Sequence, residues 1–144
     1  MNIAIKKPAY NELSFRQSLL ADEETMSYNH AYGGTIDFPK GNWEAWYNKW
    51  IRNDDEDYYY RYIYDLEINQ FIGEIAYHKE SKTDCFMCDV IILDKHRNKG
   101  YGKQSLLALC NAAKENGVQV LCDNIAIDNP SLSLFLSVDF RVIL

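Results

Sequence analysis

The chain has few of the residues that mark specialised protein classes. It contains seven glycines, three prolines and four cysteines in 144 residues, so collagen-like and disulfide-rich scaffolds are excluded. No run approaches the roughly 20 apolar residues that span a bilayer. Residues 1–8 also lack the apolar stretch of a signal peptide. We therefore expect no membrane contact and a cytoplasmic location.

Positive charge is also scarce. The formal net charge is −6, whereas a nucleic-acid partner is attracted by an excess of Lys and Arg. A hydrophobic content of 47%, including 14% aromatic residues, suffices for a buried core. The composition predicts a single domain over residues 1–144 that does not bind nucleic acid.

The cysteines are expected to be reduced. Cys85 and Cys88 have the spacing of half a metal site, but no second Cys or His pair completes it. They also lie in an apolar run that predicts a strand. We therefore interpret them as core residues and expect no metal.

Hydrophobic periodicity predicts helices and strands in alternation. The apolar stripe of Trp43, Trp46, Tyr47 and Trp50 is more typical of a core-facing helix than of a ligand pocket. Together the elements predict an α/β (α+β) domain with a mixed sheet of about six strands flanked by helices. The predicted strands are 3–5, 58–66, 70–78, 85–93, 118–127 and 140–144, and the predicted helices are 10–21, 22–26, 43–50, 102–117 and a short one from 130.

A loop between a buried strand and a helix carries the most specific signal. Gly100 and Gly102 would let a ligand approach its backbone closely. Four of the chain's fifteen Lys and Arg residues also lie here, namely Lys95, Arg97, Lys99 and Lys103. Exposed N–H groups and the helix dipole form an anion site at such a place. The spacing fits neither the Walker A loop nor the dinucleotide fingerprint. A phosphate-bearing ligand is therefore expected here.

The pattern R-x-x-G-x-G after a strand resembles the acetyl-CoA motif of the GNAT superfamily of N-acetyltransferases. The segment Asn129-Pro130-Ser131, with Leu134-Phe135 and Phe140 after it, resembles the family's closing pattern, although Asp139 stands where Gly is usual. The resemblance covers nearly the whole chain and implies the GNAT fold with acetyl-CoA (coenzyme A) as cofactor. The cofactor-binding residues that it implies are Ile92, Leu93, Arg97, Asn98, Lys99, Gly100, Tyr101, Gly102, Lys103, Asn129 and Phe135.

Acyl transfer to an amine requires a base, since a lysine-like amine with a pKa of about 10.4 is charged at neutral pH. Glu74 and Asp89 rank first because charges inside apolar strands are costly unless satisfied or functional. His78 and Asp84 are further candidates. A structural role, in which the carboxylate bonds to a Tyr hydroxyl or caps a loop, is weighed equally. A backbone N–H of the strand holding Ile92 would stabilise the charge on the acyl oxygen.

The substrate pocket is expected in the aromatic segment 28–34 and the strand after it. We assign Tyr28, His30, Tyr32 and His78 to it, with Trp43 and Trp46 as parts of an apolar wall. The acidic balance favours a cationic small molecule or a peptide amine as the acceptor.

Two departures from the family pattern affect function. Phe135 stands where the family often has a Tyr that protonates the leaving thiolate, so that role passes to Ser131, Ser133, another Tyr or water. The alternative is a non-catalytic acyl-CoA-binding or regulatory domain. The chain also ends at Leu144, within the sixth strand and without the family's usual last one. We expect a homodimer to cover the open edge, or a longer native protein.

Overall fold

The structure is a computed structural model that describes residues 2–54, 56–80, 85–123, 131–138 and 140. The strands are β1 Ile3–Lys6, β2 Tyr58–Asp65, β3 Gln70–Lys79, β4 Phe86–Ile92 and β5 Leu121–Cys122. The α-helices are α1 Leu13–Ala21, α2 Trp43–Trp50, α3 Tyr101–Glu115 and α4 Ser131–Ser137. Short 3-10 helices cover Tyr10–Glu12, Thr25–Tyr32, Lys40–Asn42 and Asp94–His96.

The five strands form one mixed sheet in the order β1-β2-β3-β4-β5. Strands β1 to β4 pair with one another in antiparallel fashion, and β5 pairs with β4 in parallel. The predicted mixed sheet with flanking helices is thus confirmed. The predicted strand at 140–144 lies outside the described residues except for Phe140. Of the predicted strand at 118–127, residues 121–122 form β5, and residues 124–127 lie outside the described residues.

Side chains alternate between two cores, one on each face of the sheet. Tyr60 and Tyr62 of β2 pack with α1 and α2, whereas Ile63 packs on the opposite face with α3 and α4. The pattern continues in β3, where Ala76 joins the first core and Ile75 the second. By the same alternation Glu74, two residues before Ala76, lies on the α1–α2 face.

Gly73 allows β3 and β4 to lie close together. It pairs with Ile92 beside a register shift in β3. A Cβ atom at residue 73 would overlap the carbonyl oxygen of Ile91 and lie 2.9 Å from Cδ1 of Ile92. Any larger residue would therefore push β3 away from the end of β4.

Two sequence-based expectations need correction. Cys85 and Cys122 form a disulfide, with their Cα atoms 6.3 Å apart, because parallel pairing of β4 and β5 joins positions distant in sequence. Cys88 and Cys110 are free, and Cys88 is buried as expected. The aromatic segment expected to be a loop forms the 3-10 helix Thr25–Tyr32, which ends at Gly33 with φ 103°.

No helix within the described ranges has both the length and the apolar character needed to cross a bilayer.

Candidate active site

A cavity of about 330 Å³ opens on the α1–α2 face of the sheet. Its size suits a small molecule. It combines aromatic side chains with ionisable ones from both helices and several strands. The lining residues are Arg16, Trp46, Trp50, Tyr60, Glu74, Ala76, His78, Met87, Cys88, Asp89 and Asp123.

Glu74 is held by two donors at the base of this cavity. It is 2% exposed, and it accepts hydrogen bonds from Arg16 Nη1 at 2.7 Å and from the Tyr60 hydroxyl. Burial alone would lower the pKa of Arg16, but Glu74 and Tyr60 more than offset this and keep it charged. Burial and the neighbouring Glu74 raise the pKa of Tyr60, which therefore stays a donor. Glu74 thus forms a buried ion pair with Arg16.

Asp89 occupies a different environment on the neighbouring strand. It pairs with Ala76, and Glu74 pairs with Ile91, so the two carboxylates lie diagonally on one face. The Asp89 side chain is exposed through the open cavity. Partial loss of water contact at the cavity wall, then the charges of Glu74 and Asp123, raise the pKa of Asp89 to about 7. A carboxyl group that changes charge near neutrality is suited to proton transfer.

Asp123 was missed by the sequence reasoning. It directly follows β5 and lines the cavity. The parallel pairing of Met87 with Cys122 brings Asp123 beside the middle of β4. The sequence alone could not place Asp123 near Asp89, because that placement depends on β5 pairing with β4 in parallel.

The tryptophan stripe divides between core and cavity. Trp43 is 6% exposed and belongs to the core, as expected. Trp46 and Trp50 are half-buried, pack against the same core and also line the cavity. Trp46 therefore belongs to a pocket wall as expected, whereas Trp43, which was expected in the same wall, does not line the cavity. Helical spacing shows which face of α2 points inward, but it does not reveal whether that face meets packed side chains or open space.

The predicted pocket residues lie in different places. His78 lines the cavity, with its ring 5.8 Å from that of Trp50. Tyr28 is 39% exposed and is not among the described residues that line the cavity. His30 and Tyr32 are exposed, and Tyr32 is 88% exposed. They do not line the cavity formed by the described residues. Asp84 lies outside those residues.

The basic loop leaves the end of β4 and enters α3. Asn98 and Gly100 have positive φ values of 62° and 90°, which turn the chain sharply into the helix. Gly100 at the start of the helix has no side chain that could cap it, and the N–H groups of the first turn of a helix lack an intrahelical partner. Lys95, Lys99 and Lys103 are exposed beside it. Backbone donors and positive charge therefore meet at one place.

Arg97 and Tyr101 fix the shape of this loop from inside. The Arg97 guanidinium donates to the carbonyl oxygens of Ile92 at 3.1 Å and Thr25 at 2.8 Å. The Tyr101 hydroxyl donates to Asp65, and its side chain is 7% exposed. These two side chains support the loop, and residues 98–100 are exposed.

Helix α4 packs where α3 begins. A Cβ atom at Gly102 would lie 3.1 Å from Cδ2 of Leu134, so a larger residue would disturb this contact. Phe135 is 4% exposed, and its ring lies 5.0 Å from that of Phe140. The aromatic residue that replaces the family's usual Tyr is thus part of the core. Asn129 lies outside the described residues.

Strands β4 and β5 are paired only briefly. Two residue pairs join them, Phe86 with Leu121 and Met87 with Cys122. Beyond Met87, no pairing of β4 on this side is found among the described residues. Residues 124–130, which follow β5, lie outside the described residues. Strand β4 runs from the cavity to Leu93, whose N–H bonds to the carbonyl oxygen of Ile72 on β3, and the start of α3 beyond it suits a ligand that ends in phosphates.

Comparisons with known proteins identify a domain family. The acetyltransferase (GNAT) domain family matches residues 5–138. No curated protein matches the chain by sequence.

Three solved structures illustrate the shared fold. The yncA protein of Salmonella typhimurium, with its cofactor acetyl-CoA, has a TM-score of 0.78 and 18% identity, over 99% of this chain and 81% of that one. Spermidine N-acetyltransferase from Vibrio cholerae, in complex with CoA and spermine, has a TM-score of 0.77 and 18% identity, over 95% and 79% of the two chains. Glucosamine-6-phosphate N-acetyltransferase from Arabidopsis thaliana has a TM-score of 0.66 and 13% identity, over 100% and 96%. At these identities the three structures support the fold alone. The domain match over most of the chain shows that this protein belongs to the GNAT family of acetyltransferases, whose acyl donor is acetyl-CoA.

Proposed function

We propose that the chain transfers an acetyl group from acetyl-CoA directly to an amine, with Asp89 as the general base. The observation that supports this most is the position of Asp89, in the cavity and three residues before Ile92 on the same strand. Its pKa of about 7 gives a useful fraction of the charged form at neutral pH. Glu74 ranked beside it in the sequence, but its ion pair with Arg16 makes it a supporting residue.

Acetyl-CoA would be held along β4 and at the start of α3. The first-turn N–H groups after Gly100 and the exposed side chains of Lys99 and Lys103 suit its phosphates. The cofactor supplies an activated acetyl thioester when it is bound. Asp89 would accept a proton from the incoming amine, and a backbone N–H of the strand that holds Ile92 would donate to the acyl oxygen.

Proton donation to the leaving thiolate is not assigned to Phe135, since it has no donor. A thiol has a pKa of about 8.5, so water can protonate this leaving group near neutral pH. Without a Tyr at residue 135, the proposed reaction therefore still needs no second catalytic side chain.

The acceptor is proposed to be an amine of a small molecule, in keeping with the cavity's size. A peptide amine is the second candidate. The predicted homodimer and the predicted cytoplasmic location stay predictions. The expected dimer contact involves residues 140–144, of which only Phe140 is described.

Gly102→Glu tests cofactor binding and turnover together. The carboxylate would enter the start of α3, clash with Leu134 and repel phosphate. We expect CoA affinity to fall at least about tenfold in a calorimetric titration, and release of free thiol from acetyl-CoA with a panel of amines to stop. Gly41→Glu is the matched control, because nothing lies within 4 Å of a Cβ atom there.

The outcomes separate the two functional classes. Thiol release that depends on added amine supports the enzyme. Tight CoA binding without release by any amine would favour the non-catalytic acyl-CoA-binding domain. Unchanged affinity in Gly102→Glu would refute the placement of the cofactor.

A further inference from the structure

The proposed reaction leaves one proton that the site must release in each turnover. An acceptor that enters as an ammonium group and becomes an amide gives up two protons from its nitrogen. One matches the proton that the released thiol takes up, and the other is left on Asp89, the proposed base. An acceptor or product that fills the cavity would lie over Asp89 and separate it from bulk water. A group that carries this proton outward would therefore return Asp89 to its charged form sooner.

His78 lies next to Asp89 on the same face of the sheet. It pairs with Met87, and Asp89 pairs with Ala76, so His78 and Asp89 are diagonal neighbours across β3 and β4. Diagonal neighbours lie about 7 Å apart, within reach of long and ring-bearing side chains. Both residues line the cavity. The small side chain of Ala76 opposite Asp89 leaves space that a water molecule can occupy between the two polar groups.

His78 also reaches solvent. Its side chain is 41% exposed, and its Nε2 lies 3.7 Å from Oε2 of Glu80, whose side chain is 48% exposed. The imidazole stacks on Tyr58 with ring centroids 6.3 Å apart, and it meets Trp50 edge to face at 5.8 Å. These rings hold the imidazole at the rim of the cavity, between Asp89 and the exposed Glu80.

An imidazole suits the transfer of a proton between Asp89 and solvent. It ordinarily titrates near pH 6.5, so it accepts and releases protons at neutral pH, and each of its two nitrogens can carry the proton. Asp89, with a pKa of about 7, can therefore pass a proton to an imidazole at little cost in free energy. His78 is the one histidine among the described residues that line the cavity.

Ionisable groups from the other elements around the cavity are less suited to this transfer. Burial raises the pKa of Cys88 on β4 and of Tyr60 on β2, so both keep their protons at neutral pH. Arg16 on α1 keeps its charge, and Glu74 on β3 is tied to Arg16 and Tyr60. The carboxylates and the phenol that complete the surroundings of Asp89 and His78 are Asp123, Glu80 and Tyr58.

We infer that His78 relays the proton from Asp89 to solvent and so resets the base after each transfer. The proton leaves a carboxyl oxygen of Asp89 and reaches one imidazole nitrogen of His78 through a bridging water molecule. The imidazolium then gives up a proton from its other nitrogen to solvent beside Glu80, so both groups return to their starting charge. This inference rests on the proposed function, since it takes Asp89 as the base. His78 acts through Asp89 and is not itself the base.

His78→Gln tests the relay, because it keeps a polar side chain and removes the imidazole. We expect kcat to fall about tenfold, a part of what acid–base groups contribute. By contrast, kcat/KM should stay within about twofold, since it reflects the steps up to acetyl transfer and not the reset of Asp89 afterwards. The rise of kcat/KM through a pH of about 7 should also persist, because Asp89 is still present. A residue that only shaped the pocket would instead lower kcat/KM and spare kcat.

Imidazole in solution provides the rescue experiment. In His78→Ala, kcat should rise with added imidazole and level off near the wild-type value at constant pH and ionic strength. Amide product is counted, so that acetyl transfer to imidazole itself does not enter the rate. The wild-type chain is the matched control, and its kcat should not respond to imidazole. An unchanged kcat in a folded His78→Gln would overturn the inference, and so would a loss in His78→Ala that imidazole does not restore.

Failure of the proposed function has a separate signature. In that case the wild-type chain forms no amide from any amine, and the relay falls with it. Turnover that is lost in Asp89→Asn but keeps its kcat in His78→Gln would leave the base in place and remove only the relay.

Discussion

Two acidic residues on neighbouring strands illustrate how contacts decide chemistry. Glu74 and Asp89 share one face of the sheet and one cavity. Glu74 is held by Arg16 and Tyr60, whereas Asp89 is influenced mainly by loss of water and by like charges. Glu74 is therefore held in place by its contacts, whereas the raised pKa of Asp89, about 7, lets Asp89 exchange a proton near neutral pH.

The proposed role of Asp89 predicts a pH dependence. Because the base must be ionised, kcat/KM should be low in acid and rise through a pH of about 7. Asp89→Asn should lower kcat/KM at least about a hundredfold, as loss of a general base commonly does. It should also remove this limb. Initial rates across the pH range, with an acceptor amine whose pKa of about 10.4 lies well above this limb, provide the measurement.

Glu74→Gln serves as the matched control for that experiment. It removes a charge that raises the pKa of Asp89, so the limb should persist and move to lower pH. A limb that disappears in Glu74→Gln and stays in Asp89→Asn would reverse the two assignments.

Stability gives a second check on Asp89 with a definite sign. Its pKa is raised from 3.8 to about 7 in the folded chain. Its contribution to stability is therefore fully present below about pH 4 and is lost as the pH rises to about 7. Asp89→Asn should flatten this part of the stability curve in urea unfolding.

At the scale of elements, the contact between β3 and β4 holds in place the strand along which the cofactor is proposed to bind. Gly73→Ala should force these strands apart at Ile92, since the new Cβ meets the Ile91 carbonyl. We expect a loss of about 2 kcal/mol or more in the free energy of unfolding, together with weaker CoA binding. Urea unfolding and a CoA titration measure both effects.

Gly41→Ala is the companion variant for this prediction. A Cβ atom there has nothing within 4 Å, and its stability should change by no more than about 0.5 kcal/mol. Equal stability for Gly73→Ala and Gly41→Ala would contradict the close approach of the strands.

Local patterns predicted most elements because their causes are local. The stripe of α2 and the hairpin of β2 and β3 follow from the side-chain spacing of Trp43 to Trp50 and 58–78. The register shift next to Gly73 depends on how β3 meets its partners. The pairing of Cys85 with Cys122 and the entry of Asp123 into the cavity depend on β5 lying parallel to β4. Such contacts join residues that no spacing rule connects.

For the whole molecule, the disulfide is a long-range constraint. Cys85 and Cys122 are separated by 37 positions, and closing a loop of that length stabilises a fold by about 3 to 4 kcal/mol in the chain-entropy description. We expect dithiothreitol to lower the free energy of unfolding by about this amount. A double Cys85→Ser, Cys122→Ser variant should unfold at the lower value and ignore the reductant. Identical unfolding curves for the wild-type chain with and without reductant would show that the bridge is absent in solution.

The uncapped start of α3 gives the two halves of the site different responses to acid. Backbone N–H groups carry no titrating proton, so the donors proposed to hold the cofactor are the same at every pH at which the chain stays folded. The proposed base on β4 is inactive when Asp89 is protonated. In mild acid the protein would therefore still bind acetyl-CoA but would not transfer the acetyl group until the pH rises.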